Sequence, residues 1–386
     1  MIPDDERAAR AALTRIAEPG DAELAQLTGL HGAVEAVARI RSGEIRSGSA
    51  DHWRVRLTGY DPHRDLAAAA AVGARLVCPG DEEWPAPLDD LDGVRLPEIR
   101  GGLPFGLWVR GPLELTAACA RSVAIVGCRA ATEYGENVAA DIAHGVAQAG
   151  LTVTSGAAYG IDAAAHRGAL VADAPTVAVL ACGVDVSYPR GHVALLERIA
   201  AAGLVVSEVP PGCAPTKLRF LTRNRIIAAL SQGTVVVEAG LRSGARNTAR
   251  WALELMRVVM GVPGPVTSAD SAGVHELLRQ PEPILVTDPG EVLEAVSAIG
   301  ENLAPLKFGA VDHRDQLGEV TGRVLDAVPA VRAVSVGRIA TTAGLCTDVT
   351  GGHLASLLLQ DFVEQHDGGW RLSASQRRAR RTCTAS

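Results

Sequence analysis

Between residues 122 and 286 the chain alternates short apolar runs with helical segments, and no other feature limits its fold as much. The runs at 122–126, 151–155, 176–181, 204–207, 234–238, 258–262 and 284–286 have the length and continuous apolar character of strands buried on both faces. Helical segments are expected at 134–149, 162–171, 192–202, 223–231, 247–256 and 274–279. Strands separated by helices run parallel, through right-handed crossovers. The predicted class is therefore α/β, with a Rossmann-like, doubly wound, mostly parallel sheet.

The flanks read differently. In 5–48 apolar residues such as Leu13, Ile16, Leu24, Leu27, Val37 and Ile40 recur at helical spacing, broken at Pro19-Gly20-Asp21. This gives a small helical N-terminal domain, 1–55, of the SAM or helix-hairpin kind, read as a packing or docking module. An extended Rossmann-like domain, 56–298, follows, with further strands at 75–79 and 107–111 and an irregular connection at 80–104. Residues 299–318 lose periodicity and read as a linker. Three helices and a terminal hairpin, 319–374, form a C-terminal winged-helix pattern, and the Arg-rich 375–386 reads as a basic disordered tail.

The net charge is −7, from 44 acids against 37 bases, which argues against a wholly basic nucleic-acid binder but leaves room for a local basic patch. The seven Cys are scattered without a CxxC pair, so neither zinc nor a disulfide framework is expected. No apolar run has the length of a membrane span, and the start, MIPDDERAAR, is acidic rather than signal-like. The expectation is a soluble cytoplasmic protein with no membrane insertion.

The densest candidate site is 217–244, KLRFLTRNRIIAALSQGTVVVEAGLRSG. A proline-bearing loop is expected to deliver Lys217, Arg219, Phe220, Arg223 and Arg225, with a helix over 223–231 and a second glycine turn, Ser243-Gly244, opening the next helix. Cations and helix N-termini at the end of a parallel strand suit phosphate. An aromatic among them suits a single strand, whose bases need a flat partner.

Two further turns follow strands and open helices: Gly127-Cys128-Arg129, and the stretch from Ser155 and Gly156 to Asp162. They repeat the phosphate-cradle arrangement, although glycine there also serves close backbone packing. GxGxxG and P-loop spacings are both missing, so no cofactor is expected. Asp162 and His166 share a helix face but read as a helix cap and a packed histidine. GxSxG and HExxH are absent, so neither a nucleophile elbow nor a metal site is expected. The chemistry indicated is binding, not catalysis.

VAIVGCR at 123–129, SGAAYGIDAAAHRGAL at 155–170, TVAVLACG at 176–183, Tyr188-Pro189-Arg190, Ser207-Glu208, RNRIIAAL at 223–230, Ser243-Gly244 and Val262-Pro263-Gly264-Pro265 together resemble the DNA-processing protein A (DprA, also called Smf) family. The resemblance covers most of 75–290. It implies a bacterial cytoplasmic protein that binds single-stranded DNA entering during natural transformation, protects it, loads the RecA recombinase and forms a homodimer. It also implies phosphate contacts at Arg129 and Lys217, base stacking on Phe220, and a supporting RNR at Arg223, Asn224 and Arg225. With Ser155, Gly156, Ser243 and Gly244 these form the candidate nucleic-acid-binding set. Not all of Arg219, Arg223 and Arg225 need face DNA; some are expected to pair with Glu208 or Glu238 and fix the loop. Tyr159 departs from the polar residue usual at its position; it removes one phosphate contact or supplies a stacking ring.

The rival reading is a nucleotide-processing enzyme on the same sheet, resembling lysine-decarboxylase-like phosphoribohydrolases. Those carry a PGGxGT turn where this chain reads LRSGARNT. A duplex-DNA regulator ranks last, because the expected recognition helix at 350–359 is poor in Lys and Arg. Protein contact suits that winged helix better.

Overall fold

The computed structural model describes residues 2–46, 48–94, 101–305, 307 and 313–383, with side chains to residue 378. The contacts divide the chain into two units, Met1–Pro305 and Leu306–Ser386.

The first unit opens with α1 (Asp4–Ile16), α2 (Ala22–His31), α3 (Ala33–Ser42), α4 (Ala50–Leu57) and α5 (Pro62–Ala71). Asp21 caps α2 by accepting from the Leu24 N–H. Leu13, Ile16, Leu24, Ile40, Trp53 and Leu57 close one apolar core, together with Phe105. The expected domain end at residue 55 thus falls inside α4. The sequence hides α4 because it buries only Ala50, Trp53 and Leu57, one residue per turn. Asp61 caps α5 and Pro62 opens it.

Nine strands make one sheet: β1 (Ala74–Val77), β2 (Leu107–Arg110), β3 (Ser122–Val126), β4 (Thr152–Ser155), β5 (Thr176–Leu180), β6 (Leu204–Ser207), β7 (Gly233–Val236), β8 (Val258–Gly261) and β9 (Ile284–Leu285). Their order is β1-β2-β6-β5-β4-β3-β7-β8-β9. From β6 to β9 all neighbours are parallel; β1 and β2 add an antiparallel flank.

After α6 (Leu115–Cys119), the crossovers are α7 (Glu133–Gln148), α8 (Ile161–Val171), α9 (Val193–Ala202), α10 (Lys217–Ala229), α11 (Gly244–Glu254) and α12 (Ala272–Leu278), and α13 (Pro289–Val296) follows β9. Strand period sorts β3 between two cores. Val123 and Ile125 pack with Ile142, Val146 and Ile161 on the α7–α8 face. Ala124 and Val126 pack with Ile226, Ile227 and Trp251 on the α10–α11 face. Helices on both faces make this the Rossmann-like fold that the alternation predicts. Among the described residues no helix is long and apolar enough to cross a membrane.

The second unit holds α14 (Glu319–Ala327), α15 (Val336–Ala343), α16 (Thr347–Leu359), the antiparallel pair β10 (Val363–His366) and β11 (Gly369–Leu372), and α17 (Ala374–Cys383). Val324, Leu325, Ile339, Leu354, Leu357 and Trp370 form its core, and Val334 bridges to Trp370 as a third short strand contact. This is the winged-helix pattern. The tail differs from expectation: 374–383 is helical, with Arg377 bonded to Glu364 and the Leu372 carbonyl. Within the expected linker, 306 and 308–312 lie outside the described residues, as do 384–386 of the tail.

Candidate nucleic-acid interface

Strand order reverses at β3. Strands β4, β5 and β6 lie to one side of it, and β7, β8 and β9 to the other. Loops leaving the carboxyl ends of β3 and β7 must diverge there, and the resulting crevice is where open α/β sheets take ligands. A cleft of about 850 Å³ opens at this point. Its walls are the turn after β3 with Arg129, the first turn of α10 with Lys217 and Phe220, and the β7–α11 turn with Arg242, Ser243 and Gly244.

Glu238, buried just beyond β7, fixes the β3 turn. Its backbone carbonyl accepts from the Cys128 N–H at 2.7 Å. Its carboxylate accepts from the Thr132 N–H at 2.9 Å and the Thr132 hydroxyl at 2.6 Å. Thr132 in turn caps α7. Arg129 is thus carried on a turn held at both ends. Its guanidinium lies over the Phe220 ring, 4.6 Å from the centroid, an attraction of about 0.5–2 kcal/mol. Tyr188 leans on the same ring at 5.6 Å and 49°.

The helix α10 starts six residues earlier than the sequence suggests, at Lys217 rather than 223. Thr216 is the cap, its hydroxyl accepting from the Arg219 N–H at 3.3 Å. Lys217, Arg219 and Phe220 therefore stand on a first helical turn, not in a loop. Cations at a helix N-terminus oppose the macrodipole, so each calls for an anion. Arg219 has one: Glu18 takes it through two bonds of 2.7 and 2.8 Å. Lys217 is exposed and has none among the described residues.

Arg223 lies on the cleft floor, buried, donating to the Val179 carbonyl and to Asn224 Oδ1. Burial pulls it down to about 10, against the upward pull of Asp162. Burial likewise raises Asp162, with Arg223 and backbone N–H groups opposing. For both groups desolvation outweighs the attraction between their charges. Among the described residues Asp162 is the one carboxylate lining the cleft, against the cations Arg129, Lys217, Arg223 and Arg242. The pocket is basic within an acidic chain.

Other candidates serve the framework. Ser155 is buried and donates to the Ile125 carbonyl at 2.6 Å. Gly156 makes room for Arg223, since a Cβ there would overlap the guanidinium. Neither lines the main cleft. Asn224 donates to the Gly244 carbonyl and to Asn247 Oδ1, both at 3.2 Å, tying α10 to the start of α11. Arg225 departs furthest from expectation. It is fully buried on the opposite helix face, bonded to Glu208 at 2.6 and 2.7 Å. Ser243 caps α11, leaving Gly244 exposed in the cleft wall. His166 is buried with Nδ1 at 2.7 Å from the Thr176 hydroxyl, and burial pushes it down to about 3. It is a packed histidine. Arg242 and Tyr188 are cleft residues that the sequence reading did not assign; Arg242's place directly before Ser243-Gly244 was the available signal.

The sequence model for DNA recombination-mediator protein A matches residues 75–297. The chain belongs to this family. A Mycobacterium tuberculosis protein named as a DNA processing protein DprA is 46% identical over 365 residues, covering 93% of this chain and 92% of that one. The DNA processing protein DprA of Streptococcus pneumoniae is 39% identical over 206 residues, 53% of this chain and 71% of the relative. In solved form, the Streptococcus pneumoniae DprA structure superposes with a TM-score of 0.62 at 27% identity, covering 76% of this chain and 98% of that chain. The family match includes every wall of the cleft. Glu18, which holds Arg219 from the connection between α1 and α2, lies before it.

Proposed function

We propose that this protein binds single-stranded DNA in the switch-point cleft and acts by holding the strand rather than by turning it over. The observation that carries this reading is the Arg129–Phe220–Tyr188 cluster beside Lys217, exposed and without a partner among the described residues. Cations alone would suit any phosphate; cations around a half-buried ring suit a backbone whose bases are free to stack. Arg129, Lys217, Arg242 and the N-terminus of α11 hold phosphates, and Phe220 with its neighbours takes a base. Arg223, Asn224, Ser155 and Gly156 keep these groups in place, while Arg225 serves the far face of α10 with Glu208. In keeping with the DprA family, the strand is DNA entering during transformation, protected and passed to the RecA recombinase by a cytoplasmic homodimer.

Fluorescence anisotropy with labelled oligo(dT) and its duplex counterpart, across a salt series, tests this. The single strand binds more tightly, and its affinity falls steeply with salt. Arg129→Ala and Lys217→Ala each weaken binding and lower the salt slope by about one. Phe220→Ala costs about tenfold with little change of slope. Equal, weak binding to both forms, indifferent to all three variants, sinks the proposal.

A further inference from the structure

The cleft does not end at Phe220. A smaller crevice adjoins it, sharing Arg129, Tyr188 and Phe220 and continuing to Tyr159. Tyr188 is 38% exposed and Tyr159 49%, in a chain with only four tyrosines. Tyr159 is braced without being covered. Its ring meets His192 edge-on at 4.6 Å and 68°, and His192 is itself buried, donating from Nδ1 to the Ala157 carbonyl at 3.0 Å. The tyrosine hydroxyl passes so close to Gly191 that a Cβ there would sit 2.8 Å away. That hydroxyl makes no hydrogen bond among the described residues. Arg190, in the same loop as Tyr188, is exposed and has no partner among the described residues.

A rigid, half-exposed ring with an idle hydroxyl is an apolar plate facing solvent. Tyr188 and Tyr159 share this crevice with Phe220, and Arg190, exposed and without a partner among the described residues, stands two residues after Tyr188. We propose that Tyr188 and Tyr159 extend the stacking platform and that Arg190 takes a phosphate beyond it, so that a single strand leaves the cleft along this track. The inference rests on the single-strand reading above and adds a second binding region to it. Stacking on aromatic faces tolerates any base, so the track lengthens the bound segment without selecting sequence.

Strand length separates the two ideas. Anisotropy at low salt is measured with oligo(dT) of about 5 and about 15 nucleotides, a span that brackets one binding module. Tyr159→Ala is expected to weaken the longer strand about tenfold and leave the shorter unchanged, while Tyr159→Phe keeps full affinity. Arg190→Ala lowers the salt slope by about one on the longer strand only. Thermal melting of each variant confirms an unaltered fold. Equal losses on both lengths, no loss on either, or a Tyr159→Phe loss as large as that of alanine overturns the track. Failure of the wild-type protein to bind either strand refutes the cleft reading itself; binding by wild type with indifferent Tyr159 and Arg190 variants refutes the track alone.

Discussion

Replacing Glu208 by Gln separates structural arginines from binding ones. Arg225 is fully buried, and its guanidinium donates to both Glu208 oxygens, to the Gly102 carbonyl at 2.9 Å and to the Thr222 carbonyl at 3.0 Å. Removing the carboxylate charge leaves that cation buried and uncompensated, a loss of about 3–5 kcal/mol. Total stability of a natural domain is about 5–15 kcal/mol, so this is a large share. At about 2–4 °C per kcal/mol the melting transition drops by about 6–20 °C. Arg225→Met orphans Glu208 and two carbonyls, so it falls at least as far. Neither residue lines the cleft, and both bond on the face of α10 turned away from it, so oligo(dT) affinity measured well below the transition is expected to stay within about twofold. Calorimetry and anisotropy on the same preparations decide it. An Arg225→Met protein that melts normally but binds a strand about tenfold more weakly would refute the reasoning, because its guanidinium would then reach DNA.

The Glu18–Arg219 pair joins the helical N-terminus to the cleft rim. Glu18→Ala is expected to loosen the first turn of α10 and cost about threefold in strand affinity, with no further cost in a Lys217→Ala background; additive losses would show that the pair does not act through Lys217. Burial holds His166 down to about 3 from its ordinary 6.5. Between those values the unfolded chain takes up a proton that the folded chain refuses, so stability is lost as pH falls through that window, by up to about 1.4 kcal/mol per pH unit. Urea denaturation at pH 7 and pH 5 checks this: His166→Gln loses less stability on acidification than wild type, and equal losses would exclude the histidine as the source.

The sheet was legible because burial on both faces leaves continuous apolar runs, and the strands from β3 to β8 follow them; β9 carries such a run too, but at the sheet edge its Ile284 and Leu285 are exposed rather than buried as expected. The start of α10 was not legible from periodicity. Its first turn spends Lys217, Arg219 and Phe220 on the cleft and on Glu18, so no apolar stripe marks it. The marker was local: Thr216, a hydroxyl positioned to cap the turn. The two short helices α4 and α5 escaped for the related reason that they bury few side chains.

The RNR at 223–225 shows what spacing decides and what it leaves open. Residues two apart on a helix point about 200° away from each other. Arg223 and Arg225 cannot share a face, so a reading that gives both to one ligand fails on helical geometry alone. Which of them faces the cleft depends on partners far along the chain. Glu208 after β6 claims Arg225, while Gly156 after β4 leaves the space that Arg223 fills. A glycine that reads as a phosphate cradle thus accommodates a guanidinium, and the sequence offers no local sign of it. The exposed groups are different. Arg129 and Lys217 have no strong claim on them from within the protein, and Phe220 only the weak ones of Arg129 and Tyr188. Residue type therefore states their chemistry directly, and the sheet has only to bring them to one edge. It does so where the strand order reverses, with Glu238 beyond β7 holding the turn beyond β3.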